Sequence, residues 1–232
     1  MSNSKNLYKA ILFSLLAGIL ISAPTEDVLA QDESAFKIAR LKYRGGGDWY
    51  NNPSALTNVL EYASSNLPVT VDADYDDVDV GSRELHNYPF AFMTGHGTIK
   101  INEAEASNLR SYMNNGGFIY IDDDYGLDKY VRRLVDKVYP DETLKELPFA
   151  HPIYHQVYEF EDGLPKIHKH DGKAPRGYGL FKNGRLVLYY TYETNISDGW
   201  ANPEVHNNPE EVRQKALRMG ANILVYALTS ER

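Results

Sequence analysis

Cysteine is missing from all 232 residues. That absence excludes disulfides, a thiol nucleophile, a thiolate metal site and a cysteine-linked lipid anchor, whatever fold the chain adopts. Other familiar signatures are missing too. No Gly-x-Ser-x-Gly elbow occurs, which disfavours serine hydrolases of that build. No glycine-rich loop ends in Gly-Lys-Ser/Thr, and none has the Gly-x-Gly-x-x-Gly spacing of a dinucleotide site. The longest apolar run, at 10–21, is about twelve residues, short of the ~20 that a bilayer-spanning helix needs. Basic residues are outnumbered, with 24 Lys+Arg against 32 Asp+Glu and a net charge of −8, so nucleic acid and anionic membrane surfaces are disfavoured as partners. No linker, internal repeat or low-complexity stretch argues for a second domain.

What is present begins with an export signal. Lys5 and Lys9 form a basic start, residues 10–21 an apolar centre, and Val28-Leu29-Ala30 a small-residue cleavage site before Gln31. The expectation is therefore an exported protein, periplasmic or extracellular, with no stable membrane insertion after cleavage and a single domain over 31–232. A domain of roughly 200 residues buries a substantial core without disulfides.

Along that domain the apolar pattern alternates between strand-like and helix-like periods. Strands are expected at 36–43, 69–73, 88–94 and 117–121. The third of these is almost wholly apolar, as befits a strand buried on both faces of a parallel sheet. Helices are expected after Asn52-Pro53, with Leu56, Val59, Leu60 and Ala63 on one side; after Asn102, where Glu105 completes a capping box; and at 128–138. Asn183-Gly184 marks a hairpin over 179–190, and Asn208-Pro209 opens a C-terminal helix. This order predicts an α/β fold, a three-layer sandwich with a mostly parallel sheet.

In such sheets ligands bind beyond the carboxyl ends of the strands. Three clusters are expected there: Gly45-Gly46-Gly47-Asp48-Trp49-Tyr50, Gly95-His96-Gly97, and Asp122-Asp123-Asp124-Tyr125. Glycines let the backbone approach a ligand closely, and Trp49 with Tyr50 offers a stacking surface. His96 between two glycines can reach a ligand as a general base or bind a metal. Three successive aspartates need a cation, donated hydrogen bonds or a helix N-terminus to balance them, so Asp122 and Asp123 join His96 as candidate ligands for a divalent metal. His151-Pro152-Ile153-Tyr154-His155 has histidines four apart, but the proline opposes a helical zinc pair. His168 and His170 fall in a charged loop, where solvated side chains are expected.

At these clusters the chain resembles the bacterial DUF4159 family. The resemblance is carried by Arg40-x-x-Tyr43-x-Gly45-Gly46-Gly47-Asp48-Trp49-Tyr50, Tyr88-Pro89-Phe90, Thr94-Gly95-His96-Gly97, Leu109-Arg110-x-Tyr112, Gly116-Gly117-Phe118, Asp122-Asp123 and His151-Pro152-Ile153. It implies a flavodoxin-like sandwich of the class I glutamine amidotransferase-like group. The stretch from Glu105 to Asp123 also resembles a wider amidotransferase-like and ThuA-like group, which implies that Asp122 and Asp123 stand at the functional elbow; amidotransferases carry a cysteine there, so glutaminase activity does not transfer. Three functional expectations follow. The domain binds a polar ligand, a glycan or peptide, without catalysis; or it is an envelope hydrolase with His96 as base and Asp123 as acid or metal ligand; or it is a structural domain that meets an envelope protein through Tyr154, Tyr158, Tyr189, Tyr190 and Tyr192.

Overall fold

The computed structural model describes residues 35–67 and 69–230, so the export signal expected at 1–30 lies outside the described residues. The chain runs β1 (Phe36–Lys42), α1 (Ala55–Asn66), β2 (Val71–Asp79), β3 (Phe90–Met93), α2 (Glu103–Asn114), β4 (Phe118–Asp122), α3 (Asp128–Val138), β5 (Lys145–Glu146), β6 (Arg176–Lys182), β7 (Arg185–Tyr192), α4 (Pro203–His206) and α5 (Glu210–Thr229). Short 3-10 turns lie at Arg83–Asn87, Pro152–Tyr154 and Ile196–Gly199.

The strands make one sheet in the order β2-β1-β3-β4-β7-β6-β5. Its first five strands are mutually parallel and β6 and β5 are antiparallel additions at one edge. This is the mostly parallel, flavodoxin-like α/β sandwich expected. Successive residues of a strand face opposite sides, and both sides here are apolar. Phe90, Phe92, Phe118 and Tyr120 pack with α1 and α5, while Ala91, Met93, Ile119 and Ile121 pack with α2 and α3. That double burial explains why β3 and β4 read as unbroken apolar runs.

The edge strand β2 is longer than the expected 69–73, running to Asp79. Its second half is acidic, and the acids pair with the bases of β1: Lys37 with Asp76 at 2.9 Å, Arg40 with Asp77 at 2.7 Å and Lys42 with Asp79 at 3.3 Å. An edge strand needs no apolar run, and cross-strand charge pairs suffice to hold it in register. The α2 capping box forms as expected, Asn102 accepting from the Glu105 backbone and Glu105 from that of Asn102. Asn183 and Gly184 both take positive φ in the β6-β7 turn, the conformation that a two-residue hairpin loop requires.

Tyrosine is used chiefly inside. Tyr154, Tyr189 and Tyr190 are at most 1% exposed, so the tyrosine surface expected in the C-terminal third does not exist in that form. Tyr120 stacks on Tyr189, and Trp200 covers Phe92 and Tyr120 with ring centroids 5.7 and 6.0 Å away.

Candidate functional site

Chain order reverses direction between β1 and β3: β1 leads to its neighbour β2 on one side, and β3 leads to β4 on the other. Such a switch point splays two loops apart and opens a crevice at the carboxyl edge. Asp48 enters it from the loop after β1, and His96 from the loop after β3. The Asp48 carboxylate accepts the His96 backbone N–H at 2.5 Å, and its Oδ2 lies 3.0 Å from His96 Nδ1. Beneath them the Tyr43 hydroxyl donates to the Thr94 carbonyl at 2.9 Å. Gly95 is required beside it, because its φ is +136° and a Cβ there would stand 2.4 Å from the Tyr43 hydroxyl.

The strand β4 supplies the next carboxylates, and the three aspartates divide. Asp122 is wholly buried. It accepts from the Thr191 hydroxyl at 2.5 Å and from the backbone N–H groups of Ile196 at 3.2 Å and Ser197 at 2.6 Å, so it anchors the turn after β7. Asp123 accepts the Leu127 N–H at 2.9 Å at the start of α3 and the Tyr190 hydroxyl at 3.2 Å. Burial raises its pKa to about 6, against the opposing pull of those two donors. Asp124 alone turns towards His96, with Oδ2 3.2 Å from Nδ1. Burial, followed by repulsion from Asp198, raises its pKa to about 7.

The fourth wall comes from the carboxyl end of β7 and from two segments beyond it. Asn195, in left-handed backbone, donates to Asp124 at 2.7 Å and to Asp198 at 2.6 Å. Asp198 receives His168 Nδ1 at 2.8 Å on one oxygen and His206 Nε2 at 3.2 Å on the other. Asn52 completes the ring, its carboxamide oxygen 2.8 Å from His206 Nε2 and its nitrogen bonded to Asp198. The result is a cleft of about 390 Å³ lined by His96, His168, His170 and His206, by Asp124 and Asp198, and by Asn51, Asn52, Asn195 and Tyr125.

His96 Nδ1 faces two carboxylates, so Nε2 is the nitrogen offered to a ligand. Partial burial works against the charged imidazole, but Asp124 and then Asp48 outweigh it and raise the His96 pKa. Asp48 moves down, since the His96 bonds exceed the cost of its burial. His168 is raised by its bond to Asp198, whereas burial lowers His170 and His206. The cleft thus holds imidazoles of unlike basicity around two buried carboxylates.

Of the residues expected to form a site, the structure brings together Asp48, Gly95, His96, Asp124 and Tyr125. The others lie elsewhere. Gly45 approaches the backbone of Thr98 and Lys100 so closely that a Cβ would be 2.5 Å from the Thr98 carbonyl, and Gly47 N–H donates to that same carbonyl. Gly46 and Gly97 have positive φ with open space around them and shape turns. Trp49 lies under the Arg40 guanidinium at 5.3 Å, with Tyr50 edge-on to it, so that pair is not a wall of the cleft. Asp122 and Asp123 spend their oxygens on backbone and hydroxyl donors. Asp123 borders a neighbouring hollow of about 330 Å³ that shares Tyr125 and His170 with the first.

His168 and His170 are half-buried, not solvated, because the loop before β6 folds over the cleft. His206, Asn195 and Asp198 were not anticipated. The signal was topological: had β7 been read as a parallel neighbour of β4, its carboxyl end would have pointed to the same edge. Asn52 was expected to cap α1. That helix begins at Ala55, after Ser54, because Asn52 is drawn into left-handed backbone and towards Asp198 and His206.

Fold and cleft together define an α/β sandwich with a histidine- and carboxylate-lined polar site at the carboxyl edge of its parallel strands. The chain belongs to the DUF4159 family, a domain of unknown function, whose profile matches residues 37–228. No curated protein matches it.

Proposed function

We propose that the cleft binds a polar ligand bearing hydroxyl or amide groups, a glycan or peptide, and hydrolyses it with His96 as general base. The observation that carries this reading is the His96 imidazole, half-exposed in the cleft, with Nδ1 held by Asp48 and Asp124. Carboxylates at Nδ1 fix the tautomer and stabilise the imidazolium that forms once Nε2 takes a proton. No cysteine exists and the nearby hydroxyls of Thr94 and Ser197 are buried, so the nucleophile is water. Nε2 accepts a proton from that water as its oxygen attacks, then returns it to the leaving group.

Asn51 Oδ1 and Asn195 Oδ1, which lack hydrogen-bond partners, offer acceptors that orient a polar substrate, and the exposed Tyr125 ring at the rim offers a face for stacking. The amidotransferase-like resemblance belongs to this proposal as an address only: the carboxyl end of β4 and the residues that follow it carry Asp122 to Asp124, and no cysteine. Export across a membrane would bring the domain to envelope glycans and peptides.

The test is turnover of glycan and peptide fragments by wild type, His96→Ala and His96→Gln. Loss of about 10²–10⁴ in kcat with KM little changed is expected for a missing general base. The wild-type rate should climb with pH through a value above that of free imidazole, since the base must be neutral and its carboxylate neighbours raise its pKa. Equal turnover in all three proteins would remove His96 from the reaction, and binding without turnover in the wild type would leave a ligand-binding domain.

A further inference from the structure

The chemistry above leaves unexplained why two histidines converge on one buried aspartate. His168 comes from the loop before β6, Asp198 from the 3-10 turn after β7 and His206 from α4, three separate segments of the chain. Their ligand atoms nevertheless lie within 4.8 Å of one another. His168 Nδ1 is 2.8 Å from Asp198 Oδ2, and His206 Nε2 is 3.2 Å from Asp198 Oδ1. Ligands around a tetrahedral zinc, with bonds of about 2.0–2.1 Å, stand about 3.3 Å apart, so only small adjustments separate this arrangement from a coordination shell.

We propose that His168 Nδ1, a carboxylate oxygen of Asp198 and His206 Nε2 bind one divalent transition-metal ion of the zinc class. Two imidazoles and one carboxylate leave a further position open, as catalytic zinc sites do and structural ones do not. All three residues line the cleft that holds His96.

The surroundings match what such ligands require. His168 Nε2 lies 3.3 Å from the Asn208 carboxamide oxygen, which orients the ring and leaves Nδ1 as the donor to metal. Asn195 donates to Asp198, holding the carboxylate in place. A second, independent observation concerns unpaired atoms. Among the described residues five buried side-chain atoms have no hydrogen-bond partner, and Asn51 Oδ1, His170 Nε2 and Asn195 Oδ1 are three of them. All three belong to residues lining this one cleft, and Asn195 is only 2% exposed. Buried polar groups left unpaired together mark a place where a polar occupant belongs.

The earlier candidates Asp122 and Asp123 stand apart from this cluster: Asp122 accepts from Thr191 and the Ile196 and Ser197 backbone, and Asp123 borders the neighbouring hollow. The site shares a cleft with the hydrolytic reading and would supply it with a Lewis acid, yet its test needs no turnover. The tag-free chain is stripped with chelator and titrated with zinc chloride by calorimetry, with elemental analysis of the product and cobalt(II) chloride as a spectroscopic probe. About one zinc per chain is expected, with an open-site cobalt spectrum. His206→Ala should weaken zinc by more than about 100-fold, and Asn208→Ala by about 10-fold. Asp198→Asn should do as His206→Ala does; if it fails to fold, the half-buried His206 still decides. His96→Ala should bind zinc as wild type does. Absence of stoichiometric zinc in the wild type, or equal affinity in His206→Ala, overturns the site. Zinc bound and lost in this pattern without turnover upholds the site and overturns the hydrolytic reading; turnover by a zinc-free wild type that fails to take up zinc upholds the hydrolytic reading and overturns the site.

Discussion

Adjacent aspartates at the end of β4 live in different chemistry because consecutive residues of a strand point to opposite faces, and their environments differ more than their sequence does. Burial makes the charge of all three costly, and Asp123, which does not touch the cleft histidines, isolates that cost. Burial raises its pKa to about 6 from the ordinary aspartate value near 3.8. Between those two values the native state holds a proton that the unfolded state has released, so stability falls as pH rises through that window and is level above it. The loss amounts to about 1–3 kcal/mol at neutral pH. Asp123→Asn keeps an oxygen to accept from Leu127 and carries no charge. Its stability should therefore change less between pH 4 and pH 6.5 than that of wild type and exceed it at neutral pH by roughly that amount. Denaturant unfolding at the two pH values measures this, and parallel curves for the two proteins would show that Asp123 is charged at no cost.

Elements with strong local signals were legible in the sequence, and the site was legible only where it used them. The α2 helix is the clearest case, its two capping bonds at 2.6 and 2.8 Å joining Asn102 and Glu105. Asn102→Ala leaves the Glu105 N–H without its cap and should cost about 1 kcal/mol in thermal or denaturant unfolding with no effect on the cleft, which lies beyond other loops. A loss of ligand binding in that variant would mean that α2 positions His96, contrary to the contacts described. The central strands β3 and β4 were likewise legible, because double burial makes them apolar throughout. What could not be read was β2, whose acidic half is specified by bases on the neighbouring strand, and the partner of β7. A strand entering through a tight Asn-Gly turn looks like half of an isolated hairpin, and nothing local says that its other edge pairs parallel with β4. Asp198, Asn195 and His206 were hidden by that single missing pairing, and His168 by a loop whose burial depends on it. Asn52 was misassigned as a cap for a related reason: a capping residue and a site residue are the same amino acid until the third partner is known.

At the scale of the molecule, the site and the larger core meet in one turn. Asp122 holds the Ile196–Gly199 turn from the sheet, and Trp200 holds it from the helical layer. The Trp200 indole lies against Phe92 and Tyr120, its N–H donates to the Ala216 carbonyl of α5 at 2.8 Å, and Gly220 leaves the gap that admits it, since a Cβ there would be 2.8 Å from the ring. Asp198 is two residues away on the same turn. Packing and ligand geometry should therefore fall together. Trp200→Ala opens a cavity and should cost about 3–5 kcal/mol, which is enough to threaten folding. Trp200→Phe is the sharper test: it keeps most of the ring, loses the bond to Ala216 and should cost about 1–2 kcal/mol in denaturant unfolding. If the turn is positioned from both sides, zinc affinity in Trp200→Phe should also fall, because Asp198 and Asn195 are no longer held in one geometry. Stability reduced with zinc affinity intact would mean that the Asp122 bonds to Ile196 and Ser197 are sufficient to place Asp198, and that the core supports the sheet but not the site.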